Sequence, residues 1–305
     1  MGINLVVAVT DEDWFNLLSA EYSIDEVNFW SPSPRNFQAL SPGELFLFKL
    51  HAPKNFIVGG GVFAHADQLP CSLAWEAFGI KNGAQSLREM RNRIAKYRRT
   101  SPADKSDFEI GCRILTQPFF LDENHWVPVP EDWSPNIVSF KTYSTDDRVG
   151  LKLWESVQDG LLGKLSGGLR SPIDRYGQPT IVRPRLGQGA FRALVTDAYC
   201  RRCAITGEKT LPALDAAHIW SFREGGPHEA SNGLLLRRDV HSLFDNGYIT
   251  ISGDLRVNVS SKIKENFENG REYYAMHGKT VITPEREDYK PDPEYLRRHN
   301  EIYLG

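Results

Sequence analysis

The chain has 305 residues, 41% of them hydrophobic and 25% charged, with a formal net charge of −3 at pH 7. These values describe an ordinary globular protein and exclude a collagen-like, disordered or strongly basic chain. A surface for nucleic acid must therefore be local, not a property of the whole molecule. The length favours two domains, each with its own core. No apolar run approaches eighteen residues, so no membrane span is expected. The N-terminus lacks the charged-then-apolar pattern of a secretory signal. Cys71, Cys112, Cys200 and Cys203 are too few and too scattered for a disulfide framework, which fits a reducing cytoplasm.

Residues 1–145 read as mixed α and β. Residues 3–9 are apolar and β-branched, hence a strand, and residues 11–20 suit a short helix. Residues 29–34 (FWSPSP) read as a proline-broken loop. Residues 45–50 (LFLFKL) and 56–64 (FIVGGGVFA) are strands on either side of a turn, and the three glycines mark a bulge or tight bend. Residues 108–115 and 126–129 supply further strands. Residues 86–99 form the clearest helix of this half. Leu87, Met90, Ile94 and Tyr97 make one apolar stripe, and Arg88, Arg91, Arg93, Lys96, Arg98 and Arg99 crowd the other face. That face is either a contact for DNA phosphates or a solvated surface. Residues 136–143 close the first domain.

Residues 146–182 read as a linker: a helix over 151–165, then a stretch rich in Gly, Pro and Arg. A second domain spans 183–305. It opens on a helix near residues 189–199, around which Arg183, Arg185, Arg192, Arg201 and Arg202 cluster as a second candidate phosphate contact. Cys200 and Cys203 form a lone CxxC pair. With no second pair in this domain, structural zinc is not expected.

Residues 213–251 carry the chemistry. They read as strand (213–219), loop (221–231), strand (233–237) and a helix from Asp239, ended by Asn246-Gly247. His218 precedes Asn232 by fourteen residues, and Asn232 precedes His241 by nine. His241 and Asp245 are four apart, so on a helix they share a face and can reach one cation. His228, in the loop, reads as solvated. After this segment come a hairpin over 248–259, a short helix over 260–266 and a terminal helix over 292–303, on which His299 reads as a surface residue.

The His218, Asn232, His241 and Asp245 pattern resembles the HNH nuclease motif, the ββα-metal finger. The resemblance implies that His218 is the general base acting on water, a role suited to a group with ordinary pKa near 6.5. It implies that Asn232 fixes the loop, and that His241 and Asp245 hold one divalent metal, Mg²⁺ or Mn²⁺, against the scissile phosphate. The family often has a metal ligand directly before the catalytic His, where this chain has Ala217. Asp215, two residues earlier, is the candidate replacement ligand.

The phrases SPGELFLFKL, IVGGGVFA, SLAWEAFGIKNG and IGCRILTQPFF resemble the PUA-like superfold, in particular EVE-type domains. That resemblance implies a mixed β-barrel with helices that holds a modified base, flipped from the duplex, between aromatic walls. Trp30, Trp75, Phe78 and Trp126 are the candidate stacking residues. The expected whole is an α+β protein: a PUA-like reader joined to an HNH nuclease. Its expected partner is double-stranded DNA carrying 5-methyl or 5-hydroxymethyl cytosine, cut by a homodimer. The alternatives are an HNH nickase or DNase indifferent to modification, and a non-catalytic DNA binder with a disabled finger.

Overall fold

The computed structural model describes residues 2–21, 23–101, 106–166 and 186–305, the side chains of 164–166 excepted. The chain divides into two compact units, Met1–Arg185 and Leu186–Gly305. No helix among the described residues is long and apolar enough to cross a membrane.

The first unit is built on one mixed sheet. Its strands are β1 (Asn4–Thr10), β2 (Glu26–Ser31), β3 (Leu45–Leu50), β4 (Phe56–Pro70), β5 (Glu109–Phe120), β6 (Val127–Pro128) and β7 (Phe140–Ser144). The hydrogen-bonded order is β2-β5-β4-β3-β1-β7, with β6 beside β4. Only β1 and β3 run parallel; every other pair is antiparallel. β1 and β3 are nearly continuous apolar runs because both of their faces are covered. Val6, Ala8, Phe46 and Phe48 enter one core, and Leu5, Val7 and Leu47 enter another across the sheet. Each large side chain so buried stabilises the fold by roughly 1.5–3 kcal/mol.

Helix α1 (Glu12–Ser19) covers the first core with Trp14, whose ring meets Phe29 and Phe48 edge-on. The glycines of β4 are required by close approach. A Cβ on Gly60 would lie 2.7 Å from the Phe46 carbonyl oxygen, and the pairing with β5 shifts register between Gly60 and Val62. The loop expected at residues 29–34 begins later than the sequence suggests. Phe29, Trp30 and Ser31 pair with Arg113, Cys112 and Gly111 as the end of β2. The prolines act only beyond that pairing.

Helices α2 (Cys71–Phe78) and α3 (Leu87–Arg98) follow β4. Ser86 caps α3 by accepting from the Glu89 amide at 3.2 Å. Met90 and Ile94 are buried, whereas Tyr97, at the end of the stripe, is 46% exposed. Helix α4 (Arg148–Ser166) lays Leu153, Trp154 and Val157 on the second core.

The second unit starts with α5 (Gln188–Ala198), then a two-stranded antiparallel hairpin of β8 (Leu214–His218) and β9 (Gly233–Arg237), then α6 (Arg238–Asp245). A second hairpin, β10 (Ile249–Ile251) with β11 (Val257–Val259), precedes α7 (Lys262–Phe267), α8 (Arg271–Tyr274) and α9 (Pro293–Asn300). One core joins α5, both hairpins and α9 through Phe191, Val195, Leu234, Leu236, Val240, Phe244, Ile249 and Leu296. His299 belongs to this core and not to the surface. Its Nε2 donates to the Phe244 carbonyl at 3.0 Å, its Nδ1 lies 2.8 Å from Thr250 Oγ1, and its ring stacks on Phe244. Helical spacing identified the helix but not the hydrogen-bonding partners waiting on another element.

Candidate active site

The β8–β9 hairpin sets the site. Its register places His218 opposite Gly233 and Asp215 opposite Leu236. A Cβ at Gly233 would lie 2.3 Å from Val195 Cγ2, so glycine is what lets α5 pack closely here. That approach brings Phe191 of α5 flat against His218, with ring centroids 3.9 Å apart and planes 11° from parallel.

Asn232 is fully buried at the mouth of the loop between the strands. Its Oδ1 accepts from the Trp220 amide at 2.8 Å. Its Nδ2 donates to the carbonyls of Trp220 at 3.0 Å and Pro227 at 2.9 Å. The Asn232 carbonyl also accepts from the Ile219 amide at 2.9 Å. One side chain thus ties the residues just after His218 to the far arm of the loop.

That far arm carries His228, which is not solvated as its loop position suggests. It is half-buried, and its Nδ1 lies 2.9 Å from His218 Nε2. Its ring stacks on Phe222 at 4.2 Å. Loop composition reports the turn, not the side chain that the folded loop turns inward. Burial, with smaller contributions from the charges of His228 and His241, lowers the pKa of His218 to about 4. Its imidazole is therefore neutral at pH 7, the form a proton acceptor needs.

The acidic side of the site centres on His241 of α6. Asp215 Oδ2 lies 3.4 Å from its Nδ1, and Asp245 Oδ2 lies 3.2 Å from its Nε2. Burial opposes charge on His241, but the hydrogen bonds and charges of Asp215 and Asp245 outweigh it and lift the pKa to about 9. Burial likewise works against ionised Asp215, yet His241 and Arg192 hold its carboxyl below the usual range. Arg192 Nε is 3.8 Å from Asp215 Oδ1.

Asp215 and Asp245 therefore take opposite edges of one ring. Among the described residues no three His, Cys, Asp or Glu side chains surround a common point. Asp215, expected from the sequence as a replacement ligand, faces Nδ1 of His241, whereas Asp245 faces Nε2. Ala217 is fully buried in the core, so its position offers nothing to a cation.

The remaining candidates are spread more widely. Arg185 lies outside the described residues. Arg192 leans toward Asp215, and Arg202 is half-buried. Cys200 is exposed while Cys203 is sealed in the core, where its Sγ accepts from the Thr206 amide. On α3, Arg88 and Arg99 are exposed, but Arg91 is committed to the Ser106 carbonyl. Arg93 and Arg98 are similarly held by Gly83 and Pro32 carbonyls.

The first unit contains a cavity of about 350 Å³. Its walls include Trp14, Phe29, Trp30, Phe37, Tyr97 and Phe140, with Asp11, Arg35 and Arg113 as polar groups. Of the four aromatic residues expected to form a pocket, only Trp30 lines it, its Nε1 donating to the Asn82 carbonyl at 2.9 Å. Phe78 is on the buried side of α2. Trp126 packs against Phe15 and Phe56 and donates to the Leu121 carbonyl, and Trp75 is half-buried on α2. The wall residues that sequence reasoning missed come from helices, strands and loops far apart in the chain, so no single local pattern groups them.

A family model described as HNH endonuclease matches residues 203–252. The chain carries an HNH endonuclease domain. The matched HNH segment contains the whole hairpin, its loop and α6, and through it the protein is a DNA-hydrolysing enzyme. No curated protein matches the chain. Among solved structures, ASCH from Zymomonas mobilis aligns with 49% of this chain and 94% of its own, at 8% identity and a TM-score of 0.35. The modification-dependent TagI restriction endonuclease aligns with 98% of this chain and 81% of its own, at 14% identity and a TM-score of 0.28.

Proposed function

We propose that this HNH enzyme is a modification-dependent DNA endonuclease, in which the first unit receives a modified cytosine and the HNH domain cuts the strand. The observation behind the reader is the aromatic cavity. At about 350 Å³ it lies in the range of small-ligand sites, and its rings can stack a base drawn out of the duplex. Arg113 in its wall, 7% exposed, offers a guanidinium donor beside those rings.

In the cutting site, His218 accepts the proton of the attacking water and Asn232 holds the loop that aims it. His241 through Nε2 and Asp245 fit one divalent cation, Mg²⁺ or Mn²⁺, since hard carboxylate oxygen with one imidazole suits either. When bound, that cation would stabilise charge on the phosphate and on the departing 3′ oxygen. Asp215 orients His241 through Nδ1, as a carboxylate behind a metal-binding histidine commonly does. Hydrolysis leaves 5′-phosphate and 3′-hydroxyl ends. Each finger cuts one strand, so a double-strand break calls for a homodimer.

The test uses matched plasmids, unmodified, 5-methylcytosine and 5-hydroxymethylcytosine, in Mg²⁺ or Mn²⁺. Cutting confined to a modified plasmid supports the proposal. Equal cutting of all three removes the reader and leaves a nuclease indifferent to modification. DNA binding without cutting of any plasmid in either metal would overturn the proposal.

A further inference from the structure

The second histidine at the cutting site has no role in the chemistry described above. His228 and His218 lie on opposite arms of the β8–β9 connection, ten residues apart. The contact between their rings is nevertheless built from several sides. Phe191 backs His218 and Phe222 backs His228, each ring nearly parallel to its partner. Asn232 bonds to the Pro227 carbonyl on one side and to Trp220 on the other, so a single buried amide fixes both arms. The result is a nitrogen–nitrogen separation of 2.9 Å between His218 Nε2 and His228 Nδ1.

A neutral imidazole has one N–H and one lone pair, and the hydrogen bond made by the first decides where the second is. Between two imidazole nitrogens at this distance, one donates and the other accepts. Among the described residues, the partner of His218 Nε2 is His228 Nδ1.

We propose that His228 is a positioning residue of the nuclease site: its Nδ1 accepts the Nε2–H of His218, holding the general base in the tautomer whose Nδ1 lone pair takes the proton from water. The inference rests on the reading of His218 as that base. His228 itself touches neither water nor phosphate in this role. It selects the tautomer and the ring orientation of the residue that does. Burial is the main reason that the pKa of His218 is lowered, and repulsion between two imidazolium rings at such a contact acts in the same direction.

The experiment is single-turnover nicking of supercoiled DNA in Mn²⁺, with DNA affinity and thermal unfolding measured on the same samples. His228→Ala should cut at least about tenfold more slowly at saturating DNA, within the range of acid–base contributions, with affinity unchanged. His228→Asn should recover most of that loss, because its Oδ1 can accept from Nε2–H in place of the imidazole Nδ1. If His228→Ala unfolds, His228→Leu keeps bulk against Phe222 without an acceptor and should be as slow as expected for Ala. Wild-type rates in His228→Ala or His228→Leu overturn the proposal. So does an Asn variant that folds normally but stays as slow as the variant lacking an acceptor. His218→Ala separates the underlying reading: it should abolish nicking at unchanged affinity, and nicking at the wild-type rate would remove His218 as the base whatever His228 does.

Discussion

Asn232 and Trp220 exchange two hydrogen bonds, the Asn232 Oδ1 accepting from the Trp220 amide and its Nδ2 donating to the Trp220 carbonyl. With the third bond to Pro227, the fully buried amide uses both of its ends on backbone groups of the half-buried Trp220 and Pro227. Asn232→Ala strands those groups, at a cost of roughly 1–3 kcal/mol for each one left buried and unpaired. Asn232→Asp presents an oxygen where Nδ2 donated to two carbonyls, so it should be no milder at neutral pH. Both variants should unfold at lower temperature and lose most nicking. Unchanged thermal unfolding would show that the loop is held by something else.

His218 and His299 are both held neutral, chiefly by burial, with pKa values lowered to about 4. A histidine whose folded pKa lies below its unfolded value near 6.5 binds its proton more readily in the unfolded chain. Stability should therefore be full above pH 6.5 and fall as pH drops from there toward 4, with a slope approaching about 1.4 kcal/mol per pH unit for each fully coupled group. His299→Gln should flatten part of this decline. Chemical denaturation between pH 7 and 4.5 measures it, and a variant with the wild-type slope would contradict the assignment. Cleavage by the folded protein should stay on its plateau below pH 6.5, because the base is still unprotonated there.

His241 and Asp245 carry the proposed cation, so His241→Ala and Asp245→Asn should each remove metal-dependent cleavage. Asp215→Asn should be milder, with about 10–100-fold weaker metal binding or activity, because it acts on the other ring nitrogen. Chelation should stop cutting and added Mn²⁺ should restore it. Calorimetric titration with Mn²⁺ distinguishes the roles: Asp215→Asn as damaging as Asp245→Asn would make Asp215 a direct ligand after all.

Trp30 lines the cavity of the first unit, whereas Trp75 does not. If the cavity holds a modified base, Trp30→Ala should weaken binding to modified DNA by about 1–3 kcal/mol, the scale of one base–aromatic stack. Trp75→Phe should leave the preference for modified over unmodified DNA intact. Competition binding with the two DNAs reads both effects. A preference unaltered in Trp30→Ala would place recognition elsewhere.

The sequence by itself determined the α+β class and the strand–loop–strand–helix order of the HNH segment. Local physics suffices for both. Alternation and apolar runs specify strands, glycines and proline specify the loop, and a four-residue spacing puts His241 and Asp245 on one helical face. The matched residues 203–252 contain all of these signals. Only the tertiary structure decided the neighbours across elements. It turned His228 inward against His218, buried His299 of α9 against Phe244 of α6, and placed Asp215 and Asp245 on opposite edges of the His241 ring. It also built the cavity from Trp14, Phe29, Phe37, Tyr97 and Phe140 around Trp30, and left Trp75 and Trp126 out of its walls. The physical reason is that periodicity records which face of an element is buried. Which nitrogen meets which oxygen depends on packing between segments that are remote in the chain.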